Sequence, residues 1–215
     1  GISIGKSRAV PIDPIEDAIA DYVTSFRLAK RTLEKMKGFV VVNVSSPNTK
    51  DLRAMQASDV AKKLLDAIAA ENTGDRHVPV LLKIAPDLDD AALESLFEIV
   101  AASGIEGIVA TNTTTSRDGL VTNASTIESI GAGGLSGPPL RRRSRTIVAR
   151  ARKKLGQDKT IIGVGGISDG ASALAMLDAG ADLLQLYTGM IYEGPFVARS
   201  IAREIAFARS MLMRG

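Results

Sequence analysis

The sequence predicts an α/β fold of the (β/α)8 barrel type, and three observations carry the prediction. Short Val- and Ile-rich runs alternate with longer stretches of helical periodicity, the pattern of βα units joined into a parallel sheet. Polar residues collect at the C-terminal ends of those runs, where a barrel keeps its chemistry. The glycine-rich segments fall in the last two units, whereas an open doubly wound nucleotide-binding sheet carries its glycine fingerprint early.

In chain order the expected strands are Ile2 to Gly5, the weakest, then Phe39 to Val44, Val80 to Ile84, Ile105 to Ala110, Thr160 to Val164 and Leu183 to Tyr187. Helices are expected over Ile15 to Lys37, Ala57 to Ala70, Asp89 to Ser103, Leu140 to Leu155, Ser172 to Ala179 and Val197 to Leu212. Asp87 and Asp89 precede one helix and Asp169 another, as N-cap chemistry requires, and Gly104 and Gly180 stand where helices stop. A full barrel has eight strands and typically about 250 residues. With six strands in 215 residues, residues 1–215 are expected to form the C-terminal part of a single barrel domain that lacks its first two βα units.

Composition narrows the chemistry. A 45% hydrophobic content suits one sizeable core. There is no run of eighteen apolar residues and no apolar segment behind a basic N-terminus, so neither a membrane span nor a secretory signal is visible, and the chain alone is expected to be soluble. The absence of cysteine excludes disulfides, thiolate metal sites and cysteine nucleophiles. His77, the only histidine, lies in the polar stretch ENTGDRHVP and reads as a loop residue without catalytic role, which argues against histidine acid–base or metal chemistry. A net charge of +3 is too small to imply nucleic acid. The basic run from Arg141 to Lys154 reads as the solvated face of a helix with Ile147 and Val148 on its apolar side; a surface for anionic lipid or ligand is the alternative.

Six polar motifs mark the strand ends: NVSSPNT (Asn43 to Thr49), KIAPD (Lys83 to Asp87), ATNTTTSR (Ala110 to Arg117), GGLSG (Gly133 to Gly137), GVGGIS (Gly163 to Ser168) and QLYTG (Gln185 to Gly189). All but GGLSG directly follow a strand. Pro47 ends the Phe39 to Val44 run and holds Ser46 extended at the strand–loop junction. No histidine is available to activate a serine nucleophile, so proton transfer suits Ser46 better. Asn43, Asn48 and Asn112 offer donors and acceptors to a flat amide-containing ring such as a pyrimidine or a flavin. Lys83 stands inside an apolar strand, either as a snorkelling side chain or as a fixed cation beside a cofactor that becomes negative on reduction. Gly163, Gly165 and Gly166 with Tyr187 and Thr188 form a plausible phosphate cradle.

These motifs, in this order, resemble the class 2, quinone-linked dihydroorotate dehydrogenases, from GISIGK at the N-terminus to IYEGP near Gly194. The resemblance implies an FMN cofactor, the oxidation of (S)-dihydroorotate to orotate in de novo pyrimidine biosynthesis, and a membrane quinone as electron acceptor. Class 1 enzymes use a cysteine base, and this chain has none. By resemblance Ser46 would remove the C5 proton while the C6 hydride passes to flavin N5, with a relay to take the proton onward. Asn43, Asn48, Asn112 and Thr113 would hold the pyrimidine and its carboxylate, Asn43 also touching flavin. Lys83 and Thr111 would contact the isoalloxazine and ribityl region, and Gly134, Gly166, Tyr187 and Thr188 would complete the FMN site around its phosphate.

The family pattern is broken at Ser3, where an asparagine is usual, and at Lys50 and Asp51, which replace a small or proline–glycine pair. The intact protein is expected to sit peripherally on the cytoplasmic side of a membrane, with a homo-oligomer possible and no nucleic-acid partner. Two other readings stay open at this level: a related FMN barrel acting on another pyrimidine, and a non-catalytic fragment with an open sheet edge.

Overall fold

A side chain on every second strand position must find cover on the opposite face of the sheet from its neighbours, and here the two faces are covered differently. In the computed structural model, which describes residues 1–33, 35–49, 51–74 and 77–212, six parallel strands pair in sequence order. They are β1 (Ile2–Ile4), β2 (Val40–Asn43), β3 (Val80–Ile84), β4 (Gly107–Ala110), β5 (Thr160–Val164) and β6 (Leu183–Gln185). Val40, Val42, Leu82, Ile84 and Ile108 join the helices in the main core, while Val41, Leu81, Val109 and Ile162 make a small second cluster on the other face, flanked by Phe39 and Val164. That second layer is the packed interior of a curled sheet, an arc of a (β/α)8 barrel with β1 and β6 as its edges.

The crossover helices are α1 (Ile15–Leu33), α2 (Ser58–Glu71), α3 (Asp90–Ala102), α5 (Arg141–Leu155) and α6 (Gly170–Asp178), with α8 (Val197–Leu212) at the end. Tyr22 of α1 is buried and donates its hydroxyl to the Asn43 carbonyl at 2.7 Å, fixing the end of β2; burial pushes its phenol well above the usual range. Asp89 caps α3 through the Ala92 N–H, and Asp169 caps α6 in a reciprocal capping box with Ser172.

Several expected boundaries move. Helix α1 ends at Leu33 rather than Lys37, and Met36 N–H turns back to the Leu33 carbonyl at 3.0 Å. Gly38 permits that turn, since a Cβ there would lie 2.6 Å from Leu33 Cδ2. Strand β6 stops at Gln185, because Tyr187 and Thr188 swing into a short helix, α7 (Thr188–Glu193). The strands expected from Ile2, Phe39 and Ile105 are each shorter at their ends. Asp87 caps no helix. Two 3-10 segments, Leu52–Gln56 and Pro138–Leu140, and helix α4 (Ala124–Ile130) were not expected; α4 buries none of its residues, so no apolar stripe announces it. Of the two departures in the serine loop, Lys50 lies outside the described residues. Asp51 adopts φ 56°, the left-handed conformation that a glycine would take there and that Asp tolerates.

The basic run is helix α5, with Ile147, Val148, Ala151 and Leu155 buried. Its cations are largely matched within the fold: Arg150 with Glu94 at 2.9 Å, Lys154 with Glu98 at 2.8 Å and Arg152 with Asp182 at 2.5 Å, while Arg143 donates to the Pro86 and Leu88 carbonyls. His77 pairs with Glu106 in the loop before β3, at the end of the sheet away from the polar motifs.

Candidate active site at the C-terminal ends of the strands

Parallel register carries the inner-face residues to one rim. Asn43 of β2 stands beside Lys83 of β3, and Lys83 beside Val109 of β4. Beyond that row a cavity of about 460 Å³ opens, lined by Lys83, Thr111, Asn112 and Thr113, by Gly134, Ser136 and Gly137, by Val164 to Ile167, and by Gln185 to Thr188. Its volume falls among those of small-ligand sites, roughly 300–1,000 Å³. Nine of the residues singled out from the sequence therefore share one cavity: Lys83, Thr111, Asn112, Thr113, Gly134, Gly165, Gly166, Tyr187 and Thr188. Asn43, Ser46 and Asn48 stand beside it rather than in its wall.

Ser45 connects the two groups. Its hydroxyl donates to Asn43 Oδ1 at 2.9 Å and accepts from Asn112 Nδ2 at 3.0 Å, and Asn112 Oδ1 in turn accepts from Thr113 N–H at 2.8 Å. Both amide oxygens are thus occupied within the array, which sets the direction of both side chains and leaves amino groups for a ligand's carbonyl or carboxylate acceptors. Ser45 is fully buried, whereas Ser46 is half-buried and its Oγ accepts from Asn48 N–H at 3.3 Å. Such a donor favours negative charge on that oxygen. Asn48 itself is exposed.

Gly134 explains how GGLSG meets the serine loop without following a strand. A Cβ at that position would lie 1.9 Å from Thr113 Oγ1 and 2.9 Å from Pro47 Cγ, so only glycine lets the three segments touch. An isolated bridge between Thr114 and Leu135 brings the segment back. Gly166 plays a similar part at the other end, with φ 70° and space for a Cβ closed by Arg141 Cβ at 2.7 Å. Arg141 holds the Gly166 carbonyl at 2.9 Å, and Thr188 donates to Ser136 at 2.8 Å. Tyr187 is 72% exposed at the rim.

Two residues depart from simple expectation. Thr111 is buried and its hydroxyl is committed to Ser144 of α5, at 2.8 Å, and to the Asn112 carbonyl. Lys83 is half-buried, and among the described residues its ammonium has no hydrogen-bond or carboxylate partner. Burial accordingly pulls its pKa below the ordinary lysine value. Ser144 and Arg53 were not singled out from the sequence, and Ser45 and Ser136 stood inside the NVSSPNT and GGLSG motifs with no role of their own. Only Ser45 left a signal there, its period-two relation to Asn43.

Fold and cavity define a (β/α)-barrel protein with a candidate ligand site at the C-terminal face of its sheet. A family model described as dihydroorotate dehydrogenase matches residues 1–208, and the chain belongs to that family. Among curated relatives, a protein of Thermobifida fusca named dihydroorotate dehydrogenase (quinone) is 44% identical over 208 residues, covering 96% of this chain and 53% of that protein. One of the same name from a Nocardioides species is 46% identical over 208 residues, covering 96% and 58%. A ligand-free DHODH crystal structure from Eimeria tenella superposes with a TM-score of 0.82 at 31% identity, covering 95% of this chain and 58% of that one. The chain spans a little over half the length of the curated relatives it matches.

Proposed function

We propose that these loops form the flavin- and substrate-binding face of a quinone-linked dihydroorotate dehydrogenase, which oxidises (S)-dihydroorotate to orotate. One observation carries the reading furthest: a lysine with no partner among the described residues, the oriented Asn112 amide and the bare backbone of Gly134 and Gly166 line a single cavity, with Asn43 wired to Asn112 beside it. The relatives' names supply the substrate and the acceptor.

The residues present fit FMN. The Lys83 cation, without a partner among the described residues, suits a ring that gains negative charge, and the side-chain-free backbone of Gly165 and Gly166 in the cavity wall suits a phosphate. Bound there, FMN would supply the hydride acceptor. Lys83 and Thr111 would adjoin the ring and ribityl chain, Thr111 through groups other than its committed hydroxyl. Gly134, Gly166, Tyr187 and Thr188 would surround the phosphate end. Asn43, Asn48, Asn112 and Thr113 would hold the pyrimidine and its carboxylate, and Ser46 would take the C5 proton. Among the described residues no helix is long and apolar enough to cross a membrane; delivery of electrons to quinone would occur with the intact protein peripherally bound on the cytoplasmic side.

The test supplies dihydroorotate and a soluble quinone to the intact protein. Orotate should form as quinone is reduced, and Ser46→Ala should lower kcat by about 10²–10⁴-fold while flavin stays bound. Normal turnover by Ser46→Ala would remove the serine from its role. Preference for fumarate or a nicotinamide acceptor over quinone would place the protein in another class of the family.

A further inference from the structure

Beside the cavity, the loops that follow three different strands meet at one ion pair. Arg53 lies in the 3-10 segment behind the Ser46 loop of β2, Asp87 ends the KIAPD segment after β3, and Thr113 to Thr115 follow β4. Arg53 Nη1 stands 2.7 Å from Asp87 Oδ2, with the two side chains 27% and 23% exposed. Asp87 also accepts from the Thr114 hydroxyl, from Thr115 N–H at 2.9 Å and from Thr115 Oγ1 at 3.1 Å. Arg53 reaches the Thr113 carbonyl at 3.4 Å and Thr115 Oγ1 at 3.3 Å. Neither charged group enters the cavity wall.

An isolated surface pair would contribute little. This carboxylate, at the end of the β3 loop, instead gathers three hydrogen bonds from the β4 loop and a guanidinium from the β2 loop, and such charge-assisted bonds are short, strong and directional. The loops it joins carry Ser46 on one side and Asn112 with Thr113 on the other. Thr113 in turn holds the Asn112 oxygen.

We propose that Arg53 and Asp87 are positioning residues that set the separation between Ser46 and the Asn112–Thr113 pair. This rests on the reading of the site given above. Burial works to raise the Asp87 carboxyl, and its bonds from Thr114, Thr115 and Arg53 outweigh that, holding it below the usual carboxylate range. The clamp is therefore charged at neutral pH.

Residue-resolved hydrogen exchange on the full chain tests the clamp without any need for turnover. Asp87→Asn should speed exchange at the Asn48 amide, which bonds Ser46, by about tenfold or more, together with Thr115, while β3 and β4 amides keep their rates. Asp87→Glu should recover part of the protection. Should Asp87→Asn fail to fold, Arg53→Lys carries the same comparison, since it keeps the charge and loses the fork. In the intact protein the same variants should lower kcat about tenfold or more, with KM and flavin content little changed. Unchanged exchange at Asn48 would overturn the proposal, as would a loss of flavin and melting temperature in step with activity. If the unaltered protein fails to oxidise dihydroorotate, the functional reading fails, and the exchange comparison still decides the clamp.

Discussion

At the scale of single residues the cavity wall carries Lys83, whose charge the folded chain holds at a cost. An ammonium withdrawn from water without a partner destabilises the fold wherever it remains protonated. Its folded pKa lies below the unfolded value, so between the two the unfolded chain binds more protons and stability rises with pH. Lys83→Met should therefore melt at or above the unaltered chain near pH 7 in the absence of ligand, and the gap should close as pH approaches about 10. The same variant should lose flavin on gel filtration. Melting that falls at every pH would show that Lys83 has a stabilising partner. The lysine was visible in the sequence because a cation inside VLLKI breaks an apolar run. Arg53 was not, because its partner Asp87 is distant along the chain and no local pattern reports such a pair.

At the scale of elements, the strands and long helices were legible from period and caps, and the errors fall where long-range contacts decide. Leu186 and Tyr187 close an apolar run by composition, yet Thr188 finds Ser136 and the backbone leaves the sheet after Gln185. Asp87 looked like a cap because two aspartates precede α3, and only the fold shows which of them faces the Ala92 N–H. The cap on α6 gives an element-scale prediction. Asp169 accepts from Ser172 N–H at 2.7 Å, and that bond, first among its contacts, keeps the carboxyl below its usual range. Asp169→Ala should cost about 1 kcal/mol, roughly 2–4 °C in Tm for a domain of this size. The cap's contribution is present above the ordinary aspartate pKa and is lost as pH falls through the folded value, so the two chains should converge in acid. Urea denaturation at neutral and acid pH checks both statements.

Across the whole molecule, the arc of six strands brings residues distant in sequence to one rim. Five strand-end motifs and the GGLSG return meet there, and the inner apolar layer of Val41, Leu81, Val109 and Ile162 supports them from below. The motif order alone pointed to that convergence. What it could not show was the wiring: Ser45 between two asparagines, Thr111 turned to Ser144, and Gly134 pressed against Thr113 and Pro47. In the proposed function this rim delivers hydride from dihydroorotate to a bound flavin. Anaerobic titration of the flavin-loaded intact protein with dihydroorotate tests it most directly. The flavin should bleach with one orotate formed for each flavin reduced; a flavin that stays oxidised under dihydroorotate, yet bleaches with dithionite, would contradict the account.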